Sequence, residues 1–452
     1  MKILLVQCPT SHLGAGEKVY PLGLARLSAL VPAAYEKDCL DLNLYPDPWP
    51  VLKEKLEAFR PQVVAVSFRN IDPLAGHQAS YLSALKTTAG LIRRLSPHAR
   101  IIAGGPAFSM FARRLMTEIH EIDAGLVGEG EGAFARMIDR DFAPHGIGGL
   151  IYRRDGALRQ NPPAATVDAN ALPPPDTQGF PPLAYGRKNA YVAAVGIEGK
   201  RGCDLACGYC LYPFLGGRRL RLRNPARIVD DMERLQKEHG IVQFHFTDPV
   251  VNRPPDHFRA FCRILIQRRL DVAWTGFFRE EALDEDSAVL AQAAGLAAVY
   301  FSADALTEHG LKLLAKQLAW ADILKAARIT AQRNILAVQH FLVNLPGENT
   351  SAHFEEAHAN LERLLEVHAP AANLGAVVFN TVRLYPQAPL TRRLIRRNMI
   401  PADLDLLYPA YYNPAETADV LHRLECTCHG AAVFARLGLD DPPADRINTP
   451  ER

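Results

Sequence analysis

Three cysteines are crowded into the run Cys203-Asp204-Leu205-Ala206-Cys207-Gly208-Tyr209-Cys210. The spacing Cys-x-x-x-Cys-x-x-Cys can wrap three thiolates around one corner of an iron–sulfur cube, whereas four-iron clusters usually take four cysteines. A cube held by only three leaves one iron open, and an amino-acid moiety can chelate that iron through its amine and carboxylate. The competing readings are chance and structural zinc. Eight cysteines in 452 residues seldom give this spacing by composition alone. Zinc normally closes a fourth position, and no further Cys or His stands nearby at the expected spacing.

The remaining cysteines carry less. Cys8, Cys39 and Cys262 sit in apolar strand-like or helix-like surroundings and read as buried small hydrophobes. Cys426-x-Cys428-His429 can contribute to a metal site but cannot hold a second four-iron cluster alone, so inert thiols are the expectation there. Crowded free thiols fit a reducing compartment, and the apolar run after Met1 is too short for a signal peptide, so a cytoplasmic protein is expected. No stretch is long and apolar enough to span a bilayer. The formal net charge of +2 gives no electrostatic reason to expect nucleic acid. Hydrophobic residues at 48% and charged residues at 22% describe an ordinary globular chain, and the length implies two domains or more.

The cysteine loop needs a frame, and the apolar pattern supplies two. Up to residue 150, short Ile/Val/Leu-rich runs (Ile3–Gln7, Lys37–Leu42, Val63–Ser67, Ile101–Gly104, Ala124–Val127) alternate with helical patterns (Pro21–Val31, Trp49–Phe59, Ser80–Leu95, Phe108–His120). This predicts an α/β domain over 1–150 with a flavodoxin-like, doubly wound sheet, which binds ligands at the carboxyl ends of its strands. Gly104-Gly105-Pro106 and Gly128-Glu129-Gly130-Glu131 follow its fourth and fifth strands. Glycine there lets backbone approach a large ligand, although turn geometry alone is the commoner reason for it. Residues 151–187 read as a hairpin and a Pro-rich linker. A second series over 188–385 predicts a partial (β/α)6 barrel, with strands Tyr191–Val195, Gln243–Thr247, Val272–Thr275, Ala298–Ser302, Ala337–Leu342 and Ala376–Phe379. Its helices include Arg227–Glu238, Pro255–Arg268 and Trp320–Gln332. Residues 386–452 read as a mainly helical tail with a tyrosine-containing stretch at Leu406–Tyr412.

With these motifs in place, the chain resembles the radical S-adenosylmethionine (SAM) superfamily, and more narrowly its branch with an N-terminal cobalamin-binding domain. The resemblance runs over about residues 1–390. Pro21-Leu22-Gly23-Leu24-Ala25 and the two glycine loops resemble the cobalamin half. Cys203–Cys210 resembles the cluster loop, Phe246-Thr247-Asp248 the strand end near the methionine amine, and Leu345-Pro346-Gly347-Glu348 with Val382–Pro386 the later strand signatures. It implies a [4Fe-4S] cluster on Cys203, Cys207 and Cys210, with SAM held by Tyr209, Thr247, Asp248, Ser302, Asp304 and Gly347. It also implies cobalamin held by Ser67, Gly104, Gly105, Gly128, Glu129 and Gly130. The implied activity is reductive cleavage of SAM to a 5′-deoxyadenosyl radical and methylation of an unactivated carbon in a small-molecule or peptide substrate. An electron donor of the flavodoxin or ferredoxin type would feed it. Cyclases and ring-rearranging enzymes of the same branch are the alternative. A non-catalytic cobalamin sensor is another, but it would need neither cluster loop nor barrel.

The chain departs from the family pattern twice. Ser302-Ala303-Asp304 stands where Glu-Ser is usual, and no Asp-x-His-x-x-Gly pattern offers a histidine to cobalt. His12 is a poor substitute, so cobalt's lower face is expected to meet ordinary side chains. Arg69, in Ser67-Phe68-Arg69-Asn70, is the candidate for that position; an ion pair with Asp72 or a contact on the corrin rim is the alternative. Arg279 can meet a carboxylate at the barrel mouth or form a surface ion pair.

Overall fold

A computed structural model describes residues 1–10, 18–73, 79–186, 192–414, 417–429 and 435–436. His12 lies outside them, as does Tyr191. The chain forms two compact units, one within residues 1–73 and 79–195, the other from Gly196 onward.

The first unit is built on strands β1 (Lys2–Gln7), β2 (Glu36–Asp41), β3 (Val63–Ser67), β4 (Arg100–Gly104), β5 (Ala124–Leu126), β6 (Leu150–Arg154) and β7 (Ala157–Gln160), in the order β2-β1-β3-β4-β5-β6-β7. The first five run parallel in the flavodoxin order, and each lies within a residue of its predicted end points. Ile3, Leu4, Leu5 and Val6 are wholly buried, which explains why β1 reads as an unbroken apolar run. The hairpin read as the start of a linker instead extends this sheet, because β6 pairs antiparallel with β5 and β7 with β6. β7, the edge strand, is mostly exposed.

The strand β3 to helix Pro106–Glu118 region shows how the sequence fixes its turn. Gly105 caps the helix with φ +102°, and a Cβ there would stand 2.6 Å from the Phe68 carbonyl oxygen, so only glycine fits. Phe68 N–H in turn donates to the Gly104 carbonyl at 2.7 Å.

The second unit holds β8 (Gly196–Ile197), β9 (Lys200–Arg201), β10 (Arg221–Leu222), β11 (Gln243–Phe246), β12 (Ala273–Phe278), β13 (Leu296–Phe301), β14 (Leu336–Leu342), β15 (Leu374–Asn380), β16 (Val382–Arg383), β17 (Tyr411–Tyr412) and β18 (Ala435–Arg436). A parallel sheet runs β18-β15-β14-β13-β12-β11-β8, and two small antiparallel pairs, β9 with β10 and β16 with β17, lie beside it. This is the expected partial barrel, with one strand misplaced. The first strand is Gly196–Ile197 rather than Tyr191–Val195, because apolar Val192–Val195 leads into the sheet without pairing in it. The tail is less helical than read: besides helices Pro389–Arg396 and Ala418–His429 it supplies β17 and β18.

The two faces of this sheet differ sharply. On one, Phe246, Trp274 and Phe278 pack edge-to-face against Phe258 and Phe261 of helix Pro255–Arg268. On the other, His245, Phe277, Tyr300 and His340 form a ring layer with centroids 5.5–6.3 Å apart. Burial pushes His245 down to about 4, so its imidazole is neutral at physiological pH.

Candidate functional site

The cysteine loop leaves the sheet at β8 and is gripped from several sides. Gly202 has φ +80° and lies so close to the Arg219 carbonyl that any side chain would collide with it. Cys203 N–H donates to the Gly217 carbonyl at 3.0 Å, Gly208 N–H to Leu314 at 2.8 Å, and Cys210 N–H to Cys207 at 3.2 Å. Cys203 packs with Leu205 and Val250, and Cys207 lies against that cluster.

The thiols are chemically suited to iron. All three are free. Burial pushes Cys210 up to about 12 and raises Cys203, and in both cases neighbouring thiolate charge adds to the rise. The three sulfurs therefore sense one another, and as free thiols Cys203 and Cys210 stay protonated until a cation displaces the proton. Tyr212 N–H points at the Cys210 sulfur at 3.5 Å. Among the described residues no three His, Cys, Asp or Glu gather around one point as ligands of a single ion would. Ligands of a cube sit on different irons, so they need not converge. The donor set fits a cluster corner better than a bare ion.

Around the loop stand the carboxyl ends of β11, β13 and β14. Thr247 is exposed, and its hydroxyl donates to the Ile197 carbonyl at 3.3 Å. Asp248, expected at the methionine amine, turns inward instead. Its Oδ1 accepts the N–H groups of Gly199 at 2.7 Å and Lys200 at 3.1 Å. Burial pushes this carboxyl up to about 6 against the pull of Lys200. Lys200, 3.8 Å from Asp248, donates to the carbonyls of Val250, Val251 and Arg253. Together they clasp the cluster loop to the end of β11.

Ser302 is half-buried after β13, and Asp304 is buried with φ +59°. Tyr209 hydroxyl donates to Asp304, as does Lys316 Nζ at 2.7 Å. Burial pulls Lys316 down, but the charges of Asp304, Cys207 and Glu280 more than offset it and its pKa is raised. Gly347 follows β14 with φ +89°, beside Glu348, which accepts the Thr307 hydroxyl. The structure thus gathers the cysteines, Tyr209, Asp304 and Lys316 and sets Thr247, Ser302 and Gly347 at neighbouring strand ends. Arg279 is no surface residue. It is 3% exposed, holds Glu281 at 3.0 Å and donates to the Lys316 carbonyl.

Lys200, Lys316 and Glu280 escaped the sequence reading. Lys316 had a signal: a lysine inside the apolar run Leu313-Leu314-Ala315-Lys316-Gln317-Leu318 is buried or interrupts a helix. Cys428 is buried and pushed up to about 12, in keeping with an inert thiol, whereas Cys426 is exposed.

In the first unit, Ser67, Gly104, Gly105 and Gly128–Gly130 lie at the carboxyl ends of the adjacent strands β3, β4 and β5. Gly128 donates its N–H to Ser109 at 3.0 Å, and nothing lies within 4 Å of where its Cβ would stand, so ligand can approach its backbone. Glu129 accepts the Val167 N–H at 3.1 Å. Arg69 is exposed, and burial raises the Asp41 carboxyl, a rise that hydrogen bonds from Asn43 and Tyr185 and the Arg69 charge offset only in part. The open rim and its glycine backbone fit a large, flat cofactor.

Comparison with known proteins finds a domain match in each half of the chain. The B12 binding domain family matches residues 13–138 and the radical SAM superfamily residues 197–358. This chain carries a radical SAM domain and a B12-binding domain together. An uncharacterised methyltransferase of Pyrococcus horikoshii is 24% identical over 407 residues, covering 88% of this chain and 84% of the relative. An anaerobic magnesium-protoporphyrin IX monomethyl ester cyclase of Synechocystis is 25% identical, over 75% of this chain and 68% of that protein. Among solved structures, the methyltransferase TsrM of Kitasatospora setae with cobalamin and a [4Fe-4S] cluster superposes with a TM-score of 0.71 at 23% identity, covering 88% of this chain and 78% of that one. The radical SAM domain implies a [4Fe-4S] cluster and SAM, and the B12 domain implies cobalamin. No helix among the described residues is long and apolar enough to cross a membrane.

Proposed function

We propose that this cobalamin-dependent radical SAM enzyme methylates an unactivated carbon of a small-molecule or peptide substrate, drawing electrons from a flavodoxin or ferredoxin. The observation that carries this reading is the presence in one chain of a three-thiol loop at one parallel sheet and a glycine rim at another. The cofactors supply the radical and the methyl group; the protein supplies placement and the exclusion of water. In this reading Cys203, Cys207 and Cys210 hold three irons. Tyr209, Ser302, Asp304, Thr247 and Gly347 line the SAM site, and Asp248 shapes it from behind. Ser67, Gly104, Gly105, Gly128, Glu129 and Gly130 form the cobalamin rim. Ring formation without methyl transfer is the second reading, favoured by the likeness to the cyclase. Anaerobic turnover with SAM bearing a deuterated methyl group separates them: a product carrying the labelled methyl is expected, and an unlabelled cyclised product would sink methylation.

Arg69 follows β3 at the rim, and a guanidinium stays protonated with no lone pair for a metal. We assign it to the lower face of cobalt, where it excludes a water ligand. Arg69→Lys is expected to retain cobalamin while its cobalt(II) electron paramagnetic resonance spectrum moves toward a water-bound form and turnover slows. An unchanged spectrum removes Arg69 from the mechanism.

A further inference from the structure

We infer that Lys316 and Arg279 raise the reduction potential of the cluster that Cys203, Cys207 and Cys210 would hold, a reading that rests on the function proposed above. The segment ahead of Lys316 is bonded directly to the cysteine loop, since Gly208, next to Cys207, donates its N–H to the Leu314 carbonyl at 2.8 Å. Lys316 Nζ lies 3.4 Å from the Tyr209 hydroxyl and 5.7 Å from the centre of its ring, between the second and third cysteines. Arg279 comes from the end of β12, and its guanidinium donates to the Lys316 carbonyl. The side chains of both cations are only 3% exposed.

Asp304 at 2.7 Å and Glu281 at 3.0 Å keep Lys316 and Arg279 in place. Glu280, 1% exposed, has no hydrogen bond on either oxygen among the described residues, and burial pushes it up to about 7. Its charge is therefore only partial near neutral pH, which leaves the cations less compensated. A buried ion network of this size gives a fold little that apolar residues would not give, so a role in the site's electrostatics is the better account of it.

The electron balance is simple. One electron leaves a low-potential one-electron donor and enters the cluster, and no bond in the protein forms or breaks. The added charge sits in a poorly solvated loop, where nearby fixed cations favour the reduced form and so raise the potential.

Redox titration of the reconstituted holoenzyme against titanium(III) citrate, without SAM and followed by electron paramagnetic resonance, tests this. Lys316→Met should disfavour the reduced cluster about tenfold, which is about 59 mV for one electron. Asp304→Asn should shift the equilibrium the opposite way, because it frees the lysine charge. Lys316→Arg should hold the wild-type potential. Opposite signs are what a merely structural role cannot produce, and they remain readable in Asp304→Asn should the methionine variant lose its cluster. Shifts of the same sign, or less than twofold in both, overturn the inference and leave the proposed function intact. A wild-type chain that takes up no cluster overturns both.

Discussion

Alanine at Cys203, Cys207 and Cys210 together is expected to leave a folded, colourless protein whose iron and SAM cleavage fall to background. Each thiolate would hold a different iron, and no other Cys or His in the loop can replace one. The fold should survive because the loop is pinned mainly by backbone bonds, to Gly217 and Leu314, rather than by sulfur. Cobalamin should still co-elute with the triple variant, since its rim belongs to the other compact unit. Iron analysis and visible absorbance after anaerobic reconstitution measure the effect. A full complement of iron in the triple variant would remove the cluster assignment.

The second large effect is expected at Lys200. Its ammonium group is 1% exposed and satisfies three buried carbonyls beside Asp248, also 1% exposed. Lys200→Met removes the cation and strands those oxygens and the carboxylate, which costs about 3–5 kcal/mol. Part of the loss is relieved as Asp248 takes up a proton, so Asp248→Asn added to Lys200→Met should destabilise less than the sum of the two. Denaturant unfolding followed through Trp274 and Trp320, in a Trp49→Phe background, reports on the second unit. A strictly additive double variant would show that the two do not form one clasp.

What the sequence made legible was whatever is local. The cysteine spacing is a property of eight consecutive residues, and β1, β3 and β4 are short apolar runs whose burial on both faces leaves no other reading. Gly105 was legible as a special position, though not the Phe68 carbonyl that demands it. The first barrel strand was misread because Val192–Val195 has the composition of a strand while Gly196-Ile197 does not. Pairing to Phe246, 49 residues later, decides the matter. The Lys200–Asp248 clasp and the Lys316–Asp304–Tyr209 network were hidden for the same reason. Their partners lie 48, 12 and 95 residues apart and meet only once the strands are ordered. Asp248 shows the limit from the other side: the motif found the residue, but only the fold shows that its oxygen is taken by backbone.

A first strand of two residues, paired on one side only, contributes little ladder to the sheet. The loop it launches is therefore held by a few side-chain and backbone clasps instead of by the cooperative core, and it belongs to the low end of the local-stability range. Such a loop can swing away while the barrel stays folded. Iron and sulfide then have a way in that needs no global unfolding, and metal binding adds the stability that the strand lacks. Before loading, the loop is therefore expected to exchange its amide hydrogens sooner than the barrel core does.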